Sequence, residues 1–148
     1  MPSAESCNRI VAASMNLHAR AKHAHWNVVG PTFAGVHALF DKIAEEAEGY
    51  ADSTAELIRF YGGEAQGTAM AASRSFLGPY TVGVAPAEAH LRAILASLRK
   101  FLSEIEFHIK TCLTEGEQTA ADVFIEISRG VAKNIYLVQS HLGASTNG

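Results

Sequence analysis

Cysteine is scarce in this chain: Cys7 and Cys112 are the two, they lie far apart, and neither belongs to a CxxC pair. No disulfide framework and no thiolate zinc site can be read from them, and reduced thiols in a cytosolic protein are the expectation. Positive charge is short as well. Twelve Lys and Arg face fifteen Asp and Glu, a net charge of −3, so no global basic field draws the molecule to nucleic acid. There is no run of about 18 apolar residues, which excludes a membrane-spanning helix. Met1-Pro2-Ser3-Ala4-Glu5-Ser6 lacks the basic start and apolar stretch of a secretory signal. Strand-like alternation, internal repeats and low-complexity segments are missing. HExxH, GxSxG and GxGxxG are absent, and neither cysteine has a partner that would activate it as a nucleophile.

What remains is apolar residues at helical spacing. The 148 residues, 48% hydrophobic and 18% charged, fit one domain spanning 1–148 with its own core. A first helix is expected from about Glu5 or Asn8 to Asn27, ended by Gly30-Pro31 because proline lacks an amide donor. Thr32 offers an N-cap for a second helix from Phe33 to Tyr61, stopped by Gly62-Gly63. Phe40, Ile43, Ala44, Ala47, Ala51 and Ile58 form its apolar face. A long connection follows from Gly62 to Ala85, with a short helix between Thr68 and Ser75. Pro86 opens a third long helix carrying Leu91, Ile94, Leu95, Leu98, Leu102, Ile105 and Ile109, broken by Gly116. The fourth runs from Glu117-Gln118 to Leu142-Gly143, and the last five residues are expected to fray. Four long helices with one long crossover give an all-α, ferritin-like four-helix bundle with a short extra helix between helices two and three.

The chemistry concentrates on the second helix. At about 100° per residue, His37, Asp41, Asp52 and Glu56 point near 0°, 40°, 60° and 100° and share a face. Imidazole plus carboxylate without thiolate suits iron or a similar divalent metal. The pairs His37/Asp41 and Asp52/Glu56 are separated by 15 positions, about 22 Å along a helix, so one chain cannot close the site. Two antiparallel copies across a two-fold axis near Glu46-Ala47 would join opposite ends and create two equivalent sites. Ala44, Ala47 and Ala51 would flank that axis and permit close approach. The same arc holds Glu45, Glu48 and Arg59, and an acidic stripe is often only a solvated face. His25 on the preceding helix supplies a second imidazole for the His37 end.

Lys22-His23-Ala24-His25-Trp26-Asn27-Val28-Val29-Gly30-Pro31, followed by Phe33, His37, Phe40-Asp41, Glu45, Asp52, Ala55-Glu56, Gly62-Gly63 and Gly67-Thr68, resembles the signature of the Dps family, the mini-ferritins named as DNA-binding proteins of starved cells. Spacings of 12, 4, 11 and 4 between His25, His37, Asp41, Asp52 and Glu56 agree with that family's ferroxidase residues without a gap. Thr119-Ala120-Ala121-Asp122 resembles its fourth-helix start.

The resemblance implies a shell of twelve subunits that oxidises Fe(II), with hydrogen peroxide as preferred oxidant, stores ferric mineral and protects against oxidative damage. Two irons would occupy each inter-subunit site, with His25, His37 and Asp41 from one subunit and Asp52 and Glu56 from its mate. The chain contains no Glu-x-x-His, the intrachain ligand pattern of larger ferritins. Trp26 would be a sacrificial electron donor or a packed interface aromatic. Glu45, Glu46 and Glu48 are candidates for mineral nucleation or ordinary solvated glutamates. Asp122, with Glu117 and Glu126, would line an acidic pore that draws in Fe(II); Gly130 stands where the family often carries a further acidic group. His18, His23, His90, His108 and His141 receive no role. A cytoplasmic, nucleoid-associated location fits the family, yet DNA binding through the termini is not expected: the first six residues carry no Lys or Arg and the last five no charge. The basic patch to consider is Arg9, Arg20 and Lys22.

Overall fold

The computed structural model describes residues 2–143, so the expected fraying of the last five residues lies outside them. Four long helices form as the apolar spacing requires. Helix α1 covers Ala4–Asn27, α2 Phe33–Phe60, α4 Ala87–Thr114 and α5 Gln118–Leu142, with a five-residue α3 at Ala69–Ser73 in the long connection. Ser3 caps α1 by accepting from the Ser6 amide, and Thr68 caps α3 by accepting from Ala71. Thr32 occupies the capping position of α2 but makes no side-chain cap bond, a correction to its expected role. Its backbone is not extended there, and the entry turn is held by the Phe33 amide donating to Gly30 instead.

Helices α1 and α2 form one hairpin, α4 and α5 the other. Gly116, at φ 76°, makes the turn between α4 and α5 in the left-handed region that side chains disfavour. Phe40, Phe101, Phe124, Ile10, Leu17, Ile43, Ile94 and Leu98 are fully enclosed where the hairpins meet. Truncating Phe101 to alanine would cost about 3–5 kcal/mol. The alanines Ala44, Ala47 and Ala51 are buried in this same core. They therefore serve the intrachain packing of α2 and are not free to line a two-fold contact, which corrects that expectation.

One element was not expected. Val28–Val29 (β1) pairs in parallel with Ala85–Pro86 (β2). The pair clasps the exit of α1 to the entry of α4 and closes the long crossover. The crossover is further tied to α1 by side chains. Asn8 donates to Glu64 carbonyl and accepts from Gln66 amide, both at 2.8 Å, and Asn16 donates to Ala72 carbonyl at 3.1 Å. Arg20 is buried and donates to Asn16 Oδ1, Ser97 Oγ and the Gly78 carbonyl. His23 Nε2 reaches the Val82 carbonyl at 2.7 Å. His90 donates from Nε2 to Gly83 carbonyl at 2.8 Å and accepts at Nδ1 from the Tyr80 hydroxyl at 2.7 Å. Backbone groups that a loop would otherwise leave to solvent are thus satisfied, which is why a stretch this long holds one shape.

Candidate metal centre

The α1–α2 hairpin brings His25, in the last turn of α1, against His37, in the first turns of α2. Their rings stack with centroids 3.6 Å apart and planes 13° from parallel. Each Nδ1 lies 2.7 Å from the other residue's backbone carbonyl, His25 to His37 and His37 to His25. A carbonyl can only accept, so both Nδ1 atoms carry the hydrogen, and in the neutral rings both Nε2 atoms are left to present a lone pair. This is the orientation a histidine needs to ligate through Nε2. Phe33 stacks on the outer side of His37 at 4.5 Å.

Asp41 follows one turn after His37 and is exposed. Lys22 Nζ lies 2.7 Å from its Oδ1, and that hydrogen bond, with smaller help from the nearby charges, holds the Asp41 carboxyl below the usual carboxylate range. The same ammonium sits 5.6 Å from the Trp26 ring centroid. Lys22 and Phe33 are the residues of this end that the ligand pattern did not single out. The i, i+4 spacing of Lys22 and Trp26 was the available signal. Trp26 itself is 67% exposed, so within one chain it is not a core aromatic.

At the far end of α2, Asp52 and Glu56 are both exposed and make no hydrogen bond or ion pair among the described residues. Asp52 lines an open groove of about 520 Å³ between α1 and α2, together with Glu45, Glu48, Gly49, Val11 and Met15. Among the described residues no group of three or more His, Cys, Asp or Glu stands ready to hold a metal within one chain. The helix separates the two halves of the ligand set by about 22 Å.

The three nucleation candidates divide. Glu45 and Glu48 face the groove beside Asp52. Both oxygens of Glu46 meet Nζ of Lys42, one turn earlier on α2, at 3.0–3.1 Å, and Asn134 Nδ2 on α5 donates to Oε2 at 2.6 Å. Asp122 and Glu126 are exposed one turn apart on α5. Glu117 is half-buried and accepts from the Tyr61 hydroxyl at 2.9 Å, so it braces the start of α5 against the end of α2. Gly130 has a packing reason: a Cβ there would collide with the Tyr50 hydroxyl. Four of the five unassigned histidines anchor backbone. His18 Nδ1 is 2.8 Å from Ala44 carbonyl, His108 Nδ1 is 2.8 Å from Glu104 carbonyl, and His23 and His90 hold the crossover as above. His141 is exposed. The suggested basic patch does not form, because Arg20 is buried, Lys22 is engaged by Asp41 and Arg9 pairs with Glu104 at 3.2 Å.

A four-helix bundle with this crossover and a short extra helix within it has the ferritin-like architecture. The ferritin-like domain model matches residues 5–146. The chain is 33% identical over 129 residues to the DNA protection during starvation protein of Mycolicibacterium smegmatis, covering 86% of this chain and 69% of that one. The tetragonal crystal form of Mycobacterium smegmatis Dps superposes with a TM-score of 0.91 at 29% identity, over 98% of this chain and 89% of that one. Dps from Microbacterium arborescens in its high iron form gives 0.86 at 30% identity, over 94% and 91%. The chain belongs to the Dps family of mini-ferritins.

Proposed function

We propose that this mini-ferritin is a ferroxidase that oxidises Fe(II) with hydrogen peroxide at sites shared between two chains, and stores the ferric product as mineral inside a twelve-chain shell. The observation that carries the reading is the reciprocal lock of His25 and His37, which leaves two Nε2 atoms free, while two unpartnered carboxylates wait at the other end of the same helix. An isologous antiparallel pairing of α2 brings those ends together twice, so each dimer has two equivalent sites, each taking two irons.

Iron and peroxide are substrates here: two Fe(II), one hydrogen peroxide and two protons give two Fe(III) and two waters. Coupling both electrons to one peroxide avoids releasing hydroxyl radical, which is the protective value of the reaction. Asp52 and Glu56 supply the hard oxygen donors that favour Fe(III) over Fe(II), Glu56 being the candidate bridge between two metals. His25 and His37 offer their Nε2 atoms to the weaker position. Asp41 either binds or orients, and to bind it must leave Lys22. Trp26, exposed beside this end, is the candidate one-electron donor. Asp122 and Glu126 remain the pore candidates, whereas Glu117 is occupied by Tyr61. For mineral nucleation Glu45 and Glu48 are available and Glu46 is held by Lys42. No described helix is long and apolar enough to cross a membrane, and a cytoplasmic location is proposed. Since the three-cation patch is dismantled, plasmid DNA should not shift at about 0.1 M salt, a low-screening test of phosphate binding.

Subunit complementation tests the shared site. His37→Ala and Glu56→Ala chains should each be strongly impaired in anaerobic Fe(II) loading followed by peroxide. After co-assembly, mixed pairs contain one doubly impaired and one intact site, so random mixing restores about a quarter of the activity. An intrachain site would restore none, and that result would overturn the reading.

A further inference from the structure

A cleft of about 270 Å³ opens between the crossover segment 77–82 and α4. Two cations, Arg20 and Lys100, line it and no carboxylate does, although Asp and Glu outnumber Lys and Arg in the chain. The groove between α1 and α2 is the reverse, lined by Glu45, Glu48 and Asp52. Arg20 is only 6% exposed. Asn16 Oδ1 accepts from its Nε at 2.8 Å, Ser97 Oγ from one terminal nitrogen at 2.9 Å, and the Gly78 carbonyl from the other. All three acceptors are neutral, so they satisfy hydrogens without cancelling the charge. Of the five N–H bonds of a guanidinium, two remain, one on each terminal nitrogen. The Tyr80 ring lies 5.7 Å away. Burial lowers the Arg20 pKa, and what opposes this is the Tyr80 hydroxyl, which burial itself keeps from ionising. A buried ion without a counter-charge is costly, and this fold keeps one beside an opening. Lys100 follows Ser97 by three positions on α4, the spacing of neighbours on one helix face. It is exposed and makes no hydrogen bond or ion pair among the described residues.

We propose that this cleft binds a phosphate group, as the free ion or as the terminal group of a small ester. Arg20 offers its two remaining hydrogens to phosphate oxygens, Lys100 adds a mobile ammonium, and Thr81, which also lines the cleft, adds a hydroxyl. Two cations match the nearly double negative charge that a phosphate carries at neutral pH. A carboxylate, with a single charge, would leave one of them uncompensated. Ala93 and Ala96 on the α4 side keep the cleft open to a group of this size. The bound anion would supply the counter-charge that Arg20 lacks and link the crossover to α4, so it stabilises the folded chain.

The test uses the assembled protein freed of iron by a chelator, because phosphate would otherwise bind ferric iron. Inorganic phosphate and ribose 5-phosphate are titrated separately by calorimetry at constant ionic strength, with chloride as the balancing anion. Saturable binding at one site per chain is expected, with Kd on the order of 1 mM or tighter. The thermal midpoint should rise with occupancy. Lys100→Met, at an exposed position, should weaken binding about 10-fold and leave the midpoint of the free protein unchanged. Arg20→Met should abolish binding. A preference for the ester or for the free ion identifies the occupant, and either supports the site. No saturation by either ligand up to about 20 mM, or an unchanged affinity in Lys100→Met, overturns the proposal. Because no iron is present, such a failure leaves the ferroxidase reading untouched.

Discussion

At the start of α2, His37 is stacked on His25, bonded to its backbone and backed by Phe33; at the other end, Asp52 and Glu56 extend into open space with nothing among the described residues to hold them. Beneath the histidines, Arg20 and His23 tie the crossover to α1, and the Tyr80–His90 bond ties it to α4. The imidazole end is braced by the fold, so its geometry exists before any metal or partner arrives. The carboxylate end costs the fold nothing, and in the proposed dimer it would acquire its geometry on assembly. Substitutions at the first end should therefore move stability and activity together, and at the second activity alone.

Glu56→Ala is the strongest way to press this difference. The initial rate of ferric absorbance should fall on the order of 100-fold, while the unfolding free energy shifts by less than about 0.5 kcal/mol, as for other exposed sites. A clear loss of stability would mean that the carboxylate end is braced too. His37→Ala should lower the rate by about 10- to 100-fold and also cost about 1–2 kcal/mol, because it removes a hydrogen bond and leaves the His25 carbonyl unpaired. Arg20→Met should destabilise by about 2–3 kcal/mol in denaturant titration, through the acceptors at Asn16, Ser97 and Gly78. Its effect on the rate per folded molecule should be only a few-fold.

Acid gives a smaller effect at the braced end. Burial, more than any other influence, lowers the His90 pKa from its ordinary 6.5. Its contribution to stability is therefore complete above pH 6.5 and is lost as the pH falls from there towards the lowered folded value, since the unfolded chain takes up the proton first. Thermal midpoints measured through this window should decline, and His90→Gln should decline less steeply. Lys22→Met is expected to do least. Freed of its partner, Asp41 should shift the Fe(II) dependence of the rate by a few-fold, with stability unchanged within about 0.5 kcal/mol, because exposed ion pairs are weak.

Local rules carried much of this architecture. Thr68 caps α3, Gly116 turns α4 into α5, and the apolar spacing of Leu91 to Ile109 runs through α4. What local rules could not reach depends on residues distant in sequence. Nothing around Thr32 announces that the Gly30 carbonyl will hold the turn, and Val28–Val29 is too short to advertise a parallel partner at Ala85–Pro86. Arg20 reads as a surface cation until Ser97 and Gly78 surround it. The spacings of the proposed ligands and the distance that divides them are written along α2. The exchange of hydrogen bonds between His25 and His37 is not, because it needs both helices in place.

That exchange has an accounting consequence for protons. An imidazole whose hydrogen already sits on the nitrogen facing the backbone has none to shed when a cation arrives at the opposite nitrogen. Ferrous loading at the histidine position should thus leave a weakly buffered solution at its starting acidity. Any acid liberated on loading must come from elsewhere, such as water drawn to the metal.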